Sequence, residues 1–119
     1  MSDLFTDKNV RPMLIGAEGE AFDSPDYLYE LKLDGERCIA YLAPTSGTEL
    51  RNKRNLKLLP KVPELSGIHR QATCRCILDG ELAVIRDGKP DFYEIQRRSL
   101  MSTPLKIELA AKKYPACFT

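Results

Sequence analysis

Leu28, Glu30 and Lys32 alternate with Tyr29, Leu31 and Leu33 up to Asp34-Gly35, and a second extended run then leaves from about Glu36 to Ala43. That pattern commits the chain to two strands meeting at a tight turn. Pro44-Thr45-Ser46-Gly47 turns the chain again into a short strand at about Thr48 to Arg51. Ribbons joined this closely make an antiparallel sheet, because parallel strands need a long crossover between them. A further strand runs from Thr73 through Ile85 and ends at Arg86-Asp87-Gly88-Lys89. The expected architecture is therefore α+β, an antiparallel sheet with short covering helices.

The helices are read from caps and spacing. Asp91 caps a helix with Glu94 three residues on, placing Phe92, Ile95, Ser99 and Leu100 on one face and turning Glu94, Arg97 and Arg98 outward. Thr103-Pro104 starts a last helix to about Lys112, although Leu105, Ile107, Leu109 and Ala111 also alternate as a strand would. Pro63 opens at most a short helix before Gly67, and Tyr114 to Thr119 reads as the start of another strand. Met1 to Asp26 is an extended lead-in, broken at Arg11-Pro12 and Ser24-Pro25, with a short strand or turn around Met13 to Ile15.

A length of 119 residues allows at most one domain. A net charge of +1 does not mark a strongly basic nucleic-acid binder, so any contact with a polyanion must come from a local patch. Arg51, Lys53, Arg54 and Lys57, with no acid among them, are that patch. As a solvated loop they would need no function; as a phosphate-attracting loop they would supply the charge the rest of the chain lacks. No apolar run approaches the ~20 residues of a membrane span, and Met1 to Phe5 does not start a secretory leader. A cytoplasmic protein with no membrane partner is expected. Cys38, Cys74, Cys76 and Cys117 lack Cys-x-x-Cys spacing and read as small apolar residues of the strands, and His69 is the single histidine.

The chemistry concentrates at Lys32. A lysine amine has an unperturbed pKa of about 10.4 and becomes nucleophilic when desolvation or a neighbouring cation favours its neutral form. Leu31 and Leu33 flank Lys32, and Arg37 lies across the turn. Asp34 can orient the amine or a metal ion, and Gly35 lets the backbone approach a phosphate. The pattern Lys-x-Asp-Gly-x-Arg arises by chance in a chain of this length on the order of once in a thousand. A second polar interruption, Asp79-Gly80-Glu81 inside an apolar strand, places two carboxylates where they need a cation, a ligand hydroxyl or Lys32 as partner.

Together these stretches resemble the covalent nucleotidyltransferases, the superfamily of ATP-dependent DNA ligases, RNA ligases and mRNA capping enzymes. Lys32 to Arg37 is similar to the adenylated-lysine motif. Arg51-Asn52 resembles the ligases' Arg-Asn-Gly element, with Lys53 in place of the Gly, and Leu78 to Leu82 resembles the motif whose Glu meets the ribose. Phe92 to Arg98 is similar to the Phe-x-x-Leu-Gln-x-Arg helix of bacterial and phage ATP-dependent DNA ligases. The resemblance covers about Met13 to Thr119 and implies the first half of an adenylation domain of ATP-grasp-like fold. In it Lys32 would take AMP from ATP with Mg²⁺ assistance and pass it to a 5′-phosphate of nicked double-stranded DNA. Glu30 would lie near adenine, Arg37 and Arg51 near ribose and phosphates, Glu81 on the ribose, and Asp34 beside the lysine; no metal ligands are assigned. An RNA ligase, a capping-type enzyme or a non-catalytic nucleotide- or DNA-binding module remain alternatives. The later motifs of the family, and its OB-fold domain, are not in the sequence, which leads to an expectation of impaired activity and of self-association through an unpaired sheet edge.

Overall fold

The computed structural model describes residues 3–13, 19–28 and 35–119. The strand expected before Asp34 lies outside these residues. Glu36–Ala43 forms strand β1, buried from Cys38 onward, and that burial follows from its central place in the sheet. It pairs antiparallel with β2 (Gly47–Arg51) on one side and with β3 (Cys76–Arg86) on the other. β4 (Lys89–Pro90) folds back on the end of β3 through Asp87-Gly88, where φ values of 51° and 77° give the turn the hand that matches strand twist. β5 (Ala116–Phe118) adds to β3 at Leu82 to Val84, so the five strands among the described residues are all antiparallel.

Side chains alternate across these strands, so each face of the sheet has its own covering. Cys38, Ala40 and Leu42 of β1, Leu82 and Val84 of β3, and Leu50 of β2 make the main core. Leu58, Val62 and Leu65 close over it from short 3-10 turns at Leu59–Lys61 and Pro63–Leu65, which is as much helix as two prolines allow. Burial pushes the Cys38 thiol up to about 12, so it sits in this core as a neutral apolar group. Cys74 is exposed instead, because the third strand begins at Cys76 and not at Thr73.

Ile39 and Tyr41 point to the other face, and the lead-in packs on Tyr41. It contains a helix the sequence did not announce, α1 (Leu4–Asp7), opened by Asp3 accepting from the Phe5 amide at 3.0 Å and closed by Lys8 in the left-handed region. The Phe5 ring meets Tyr41 edge-on at 5.9 Å, and the Val10 amide donates to the Tyr41 hydroxyl at 3.2 Å.

Two helices complete the chain, α2 (Phe92–Leu100) and α3 (Pro104–Lys113). Asp91 caps α2 as its sequence predicts, accepting from the Glu94 amide at 3.1 Å. The face it buries differs from the expected one. Ile95 is in the core, but Leu100 is 83% exposed, while Glu94 is buried and Arg98 is only 1% exposed. Arg98 can turn inward because it meets a matched acceptor set: Nη1 donates to both Glu64 carboxylate oxygens at 2.9 and 2.7 Å, and Nη2 donates to the Tyr114 carbonyl at 2.7 Å. Glu64 also accepts from the Ala116 amide at 2.8 Å, so one ion pair ties α2 to a 3-10 turn and to β5. In α3, Ile107 and Ala110 are buried at helical spacing, which settles the ambiguity left by the alternating pattern.

Candidate functional site

Glu30, Lys32 and Asp34 lie outside the described residues, so the site is built from Gly35 onward. A Cβ at Gly35 would stand 2.1 Å from the Leu82 carbonyl oxygen. The lack of a side chain is what lets the chain enter β1 hard against β3. Gly80 has the same reason, with the Thr119 carbonyl oxygen 2.3 Å from where a Cβ would be.

Register then assembles the charged residues. Arg37 stands opposite Glu81, and Asp79 lies diagonally, opposite Ile39. Arg37 Nε donates to Asp79 Oδ1 and Nη2 to Oδ2, both at 2.7 Å, a fork of two parallel bonds. The Arg37 guanidinium holds the Asp79 carboxyl below the usual carboxylate range against a smaller opposing effect of burial. The bonds to Asp79 raise the Arg37 pKa, and the field of Glu81 adds to it. The cation that the interrupted strand needs for Asp79 is therefore Arg37, a partner that sequence spacing alone does not identify.

A cavity of about 430 Å³ opens beside this pair. Gly35, Glu36, Arg37 and Glu81 line it from the sheet, Phe92, Ile95, Gln96 and Ser99 from α2, and Asn52, Lys53 and Arg54 from the loop after β2. Ser99 Oγ donates to Glu36, fastening α2 to the start of β1. The loop is folded on Asn52, whose buried side-chain oxygen accepts from the Arg54 and Leu56 amides, each at 2.9 Å. Asn55 takes a φ of 64°, which Asn tolerates better than most residues. Arg51 closes the base of the loop: Nη1 donates to the Asn55 carbonyl at 3.1 Å, and Nε lies 3.4 Å from Glu49. Arg51 is not among the residues lining the cavity, whereas its neighbours Lys53 and Arg54 are.

The structure thus brings Arg37 and Glu81 together at one cavity and sets Arg51 behind the loop. Asn52, Lys53 and Arg54 join the site from the basic stretch after β2, and Gln96 joins it from α2. Among the described residues no group of three or more His, Cys, Asp or Glu could hold a metal ion, and no helix is long and apolar enough to cross a membrane.

No family model matches the chain. In sequence it is 30% identical over 100 residues to the bifunctional non-homologous end joining protein LigD of Bacillus subtilis (strain 168), covering 78% of this chain and 16% of that protein. It is 31% identical over 110 residues to DNA ligase C of Mycobacterium tuberculosis, covering 92% of this chain and 30% of that one. It is 33% identical over 90 residues to the SPbeta prophage-derived DNA ligase-like protein LigB of Bacillus subtilis, covering 75% and 32%. The chain therefore spans less than a third of the length of each of these relatives. Its fold is similar to that of mycobacterial DNA ligase D complexed with ATP and MES, with a TM-score of 0.57 and 22% identity over 75% of this chain and 26% of that one. Sequence similarity to a LigD protein, a DNA ligase C and a DNA ligase-like LigB, each aligned over three quarters or more of this chain, makes it a homologue of the ATP-dependent DNA ligases over the segment it spans.

Proposed function

We propose that the chain is the first part of the adenylation domain of an ATP-dependent DNA ligase. The observation that carries this reading is the Arg37 fork on Asp79, beside Glu81 and at the rim of a cavity of about 430 Å³, two residues after Gly35. The mycobacterial structure of similar fold was solved with ATP, which fits a nucleotide in this cavity.

In this reading the Lys32 amine, having lost its proton, attacks the α-phosphorus of ATP. A P–N bond forms, the bond to pyrophosphate breaks, and AMP is left on the lysine. An oxygen of a DNA 5′-phosphate then attacks the same phosphorus and frees Lys32. The adjacent 3′-hydroxyl finally attacks the activated 5′-phosphate and expels AMP. Arg37 and Glu81 would orient the ribose, Glu30 the adenine and Asp34 the amine, while Arg51 would serve the phosphates through the loop it closes. Fixed cations and donors suit this chemistry because they meet charge as it develops on the transferred group. The described residues offer no ligand set for the magnesium ion expected from the resemblance, and none of these steps is assigned to it.

Intact-mass spectrometry after incubation with ATP and Mg²⁺ tests the reading. A substoichiometric, acid-labile AMP adduct is expected, absent in Lys32→Ala and not replaced by GMP when GTP is supplied. A GMP adduct would assign a capping-type enzyme. ATP retained without any adduct, and equally by Lys32→Ala, would assign a binding module.

A further inference from the structure

Most arginines in this structure are matched to an acid. Arg37, Arg75, Arg86 and Arg98 each make an ion pair at 3.1 Å or less, and Arg51 has Glu49 and the Asn55 carbonyl. Lys53 and Arg54 are the exception that lines a cavity. Both are exposed, and among the described residues no acid pairs with either. Two cations held side by side without acids repel each other, and the loop that carries them is built to keep them there. Asn52 fixes the Arg54 amide, Asn55 takes the left-handed turn, and the Arg11 guanidinium, reaching from the lead-in, donates to the Lys53 carbonyl at 3.3 Å.

We infer that Lys53 and Arg54 form a phosphate subsite at the loop end of the cavity, and that they, rather than Arg51, supply the charge that meets a phosphate there. The inference rests on the nucleotide reading of the cavity and deepens it by dividing the walls. Phe92 and Ile95 give an apolar side and Glu81 an acceptor, whereas Lys53 and Arg54 give an anion-binding end. The ligand class is a phosphate monoester or polyphosphate, from the tail of a nucleotide or from a DNA 5′-end. Lysine serves as a mobile point charge for such a group and arginine as a planar fork, so the pair can follow a phosphate through more than one geometry.

Isothermal titration of the whole chain and of the Lys53→Ala/Arg54→Ala variant separates the possibilities. The probes are ATP, adenosine, tripolyphosphate, and a nicked duplex with or without its 5′-phosphate. Both side chains are exposed and unpaired among the described residues, so the variant should melt at the temperature of the parent chain. The expected result is a loss of about tenfold or more in affinity for ATP, with adenosine unchanged. A loss confined to the phosphorylated nick would support the subsite and name the DNA end as its ligand. Equal binding of ATP and of the phosphorylated nick by parent and variant, with adenosine still bound, would overturn the subsite and leave the nucleotide reading standing. Tripolyphosphate bound by the parent and lost in the variant, with adenosine bound by neither, would keep the anion site and remove the nucleotide reading.

Discussion

Asp79 and Arg37 show how a single residue's environment can be half read from sequence. An aspartate inside an apolar strand announces that a cation must be near, but which cation depends on the register between β1 and β3, a contact between residues far apart in the chain. The consequence is testable by pH. The Asp79 carboxyl is held below its unfolded value, so the pair stabilises the fold above about pH 4 and that contribution is lost as pH falls through the lower folded value. Both side chains are about a third or more exposed, which limits the contribution to about 1 kcal/mol or less. Asp79→Asn should therefore lose about that much stability by urea unfolding at pH 7, with the gap from the parent narrowing toward pH 3. A gap that stays constant with pH would show that the charge is not what the pair contributes. Gly35 was legible as a turn residue, whereas the close approach it permits is to the Leu82 carbonyl of β3. Gly35→Ala should cost about 1–3 kcal/mol by the same measurement, because backbone must move to admit the methyl group.

At the scale of elements, the strands and helices were legible where local signals agreed. Glu36 to Ala43 is β1, as an extended run between two turn signals requires, and Asp91 starts α2 through its cap. The buried face of α2 was misread because a charged residue inside a helix ordinarily faces water, and nothing within Phe92 to Leu100 reveals that Glu64 waits for Arg98. That acceptor comes from a different element and reaches Arg98 only once the 3-10 turns fold over the sheet. Removing one partner of a buried pair leaves the other charge uncompensated, so Arg98→Met should destabilise by roughly 3–5 kcal/mol. The Arg98→Met/Glu64→Met double variant should regain part of that loss, offset by the Ala116 amide bond it gives up. Equilibrium unfolding of the two variants checks both statements, and a double variant no more stable than the single one would refute the pairing.

At the scale of the whole molecule, the sheet is better covered at its β1 centre than at the β5 end. Beside β5 an apolar cavity of about 370 Å³ is lined by Leu65, Ile68, Leu78 and Phe118 among others, and Leu78 and Ile85 of β3 are each more than 40% exposed. Apolar side chains next to strand groups with no partner strand among the described residues invite a second chain, since burial and strand pairing are then gained together. The chain should therefore associate with itself in a concentration-dependent way, seen as a rising weight-average sedimentation coefficient. Leu78→Lys places a charge in that patch, on the face of β3 opposite to Asp79 and Glu81 and outside the cavity that Lys53 and Arg54 line. It should shift association to at least several-fold higher concentration while leaving ATP affinity as it was. A parent chain that sediments as one monomeric species at every concentration would show that this end of the sheet is stable without a partner. If Leu78→Lys weakened ATP binding as well, the two cavities would have to be treated as one coupled unit.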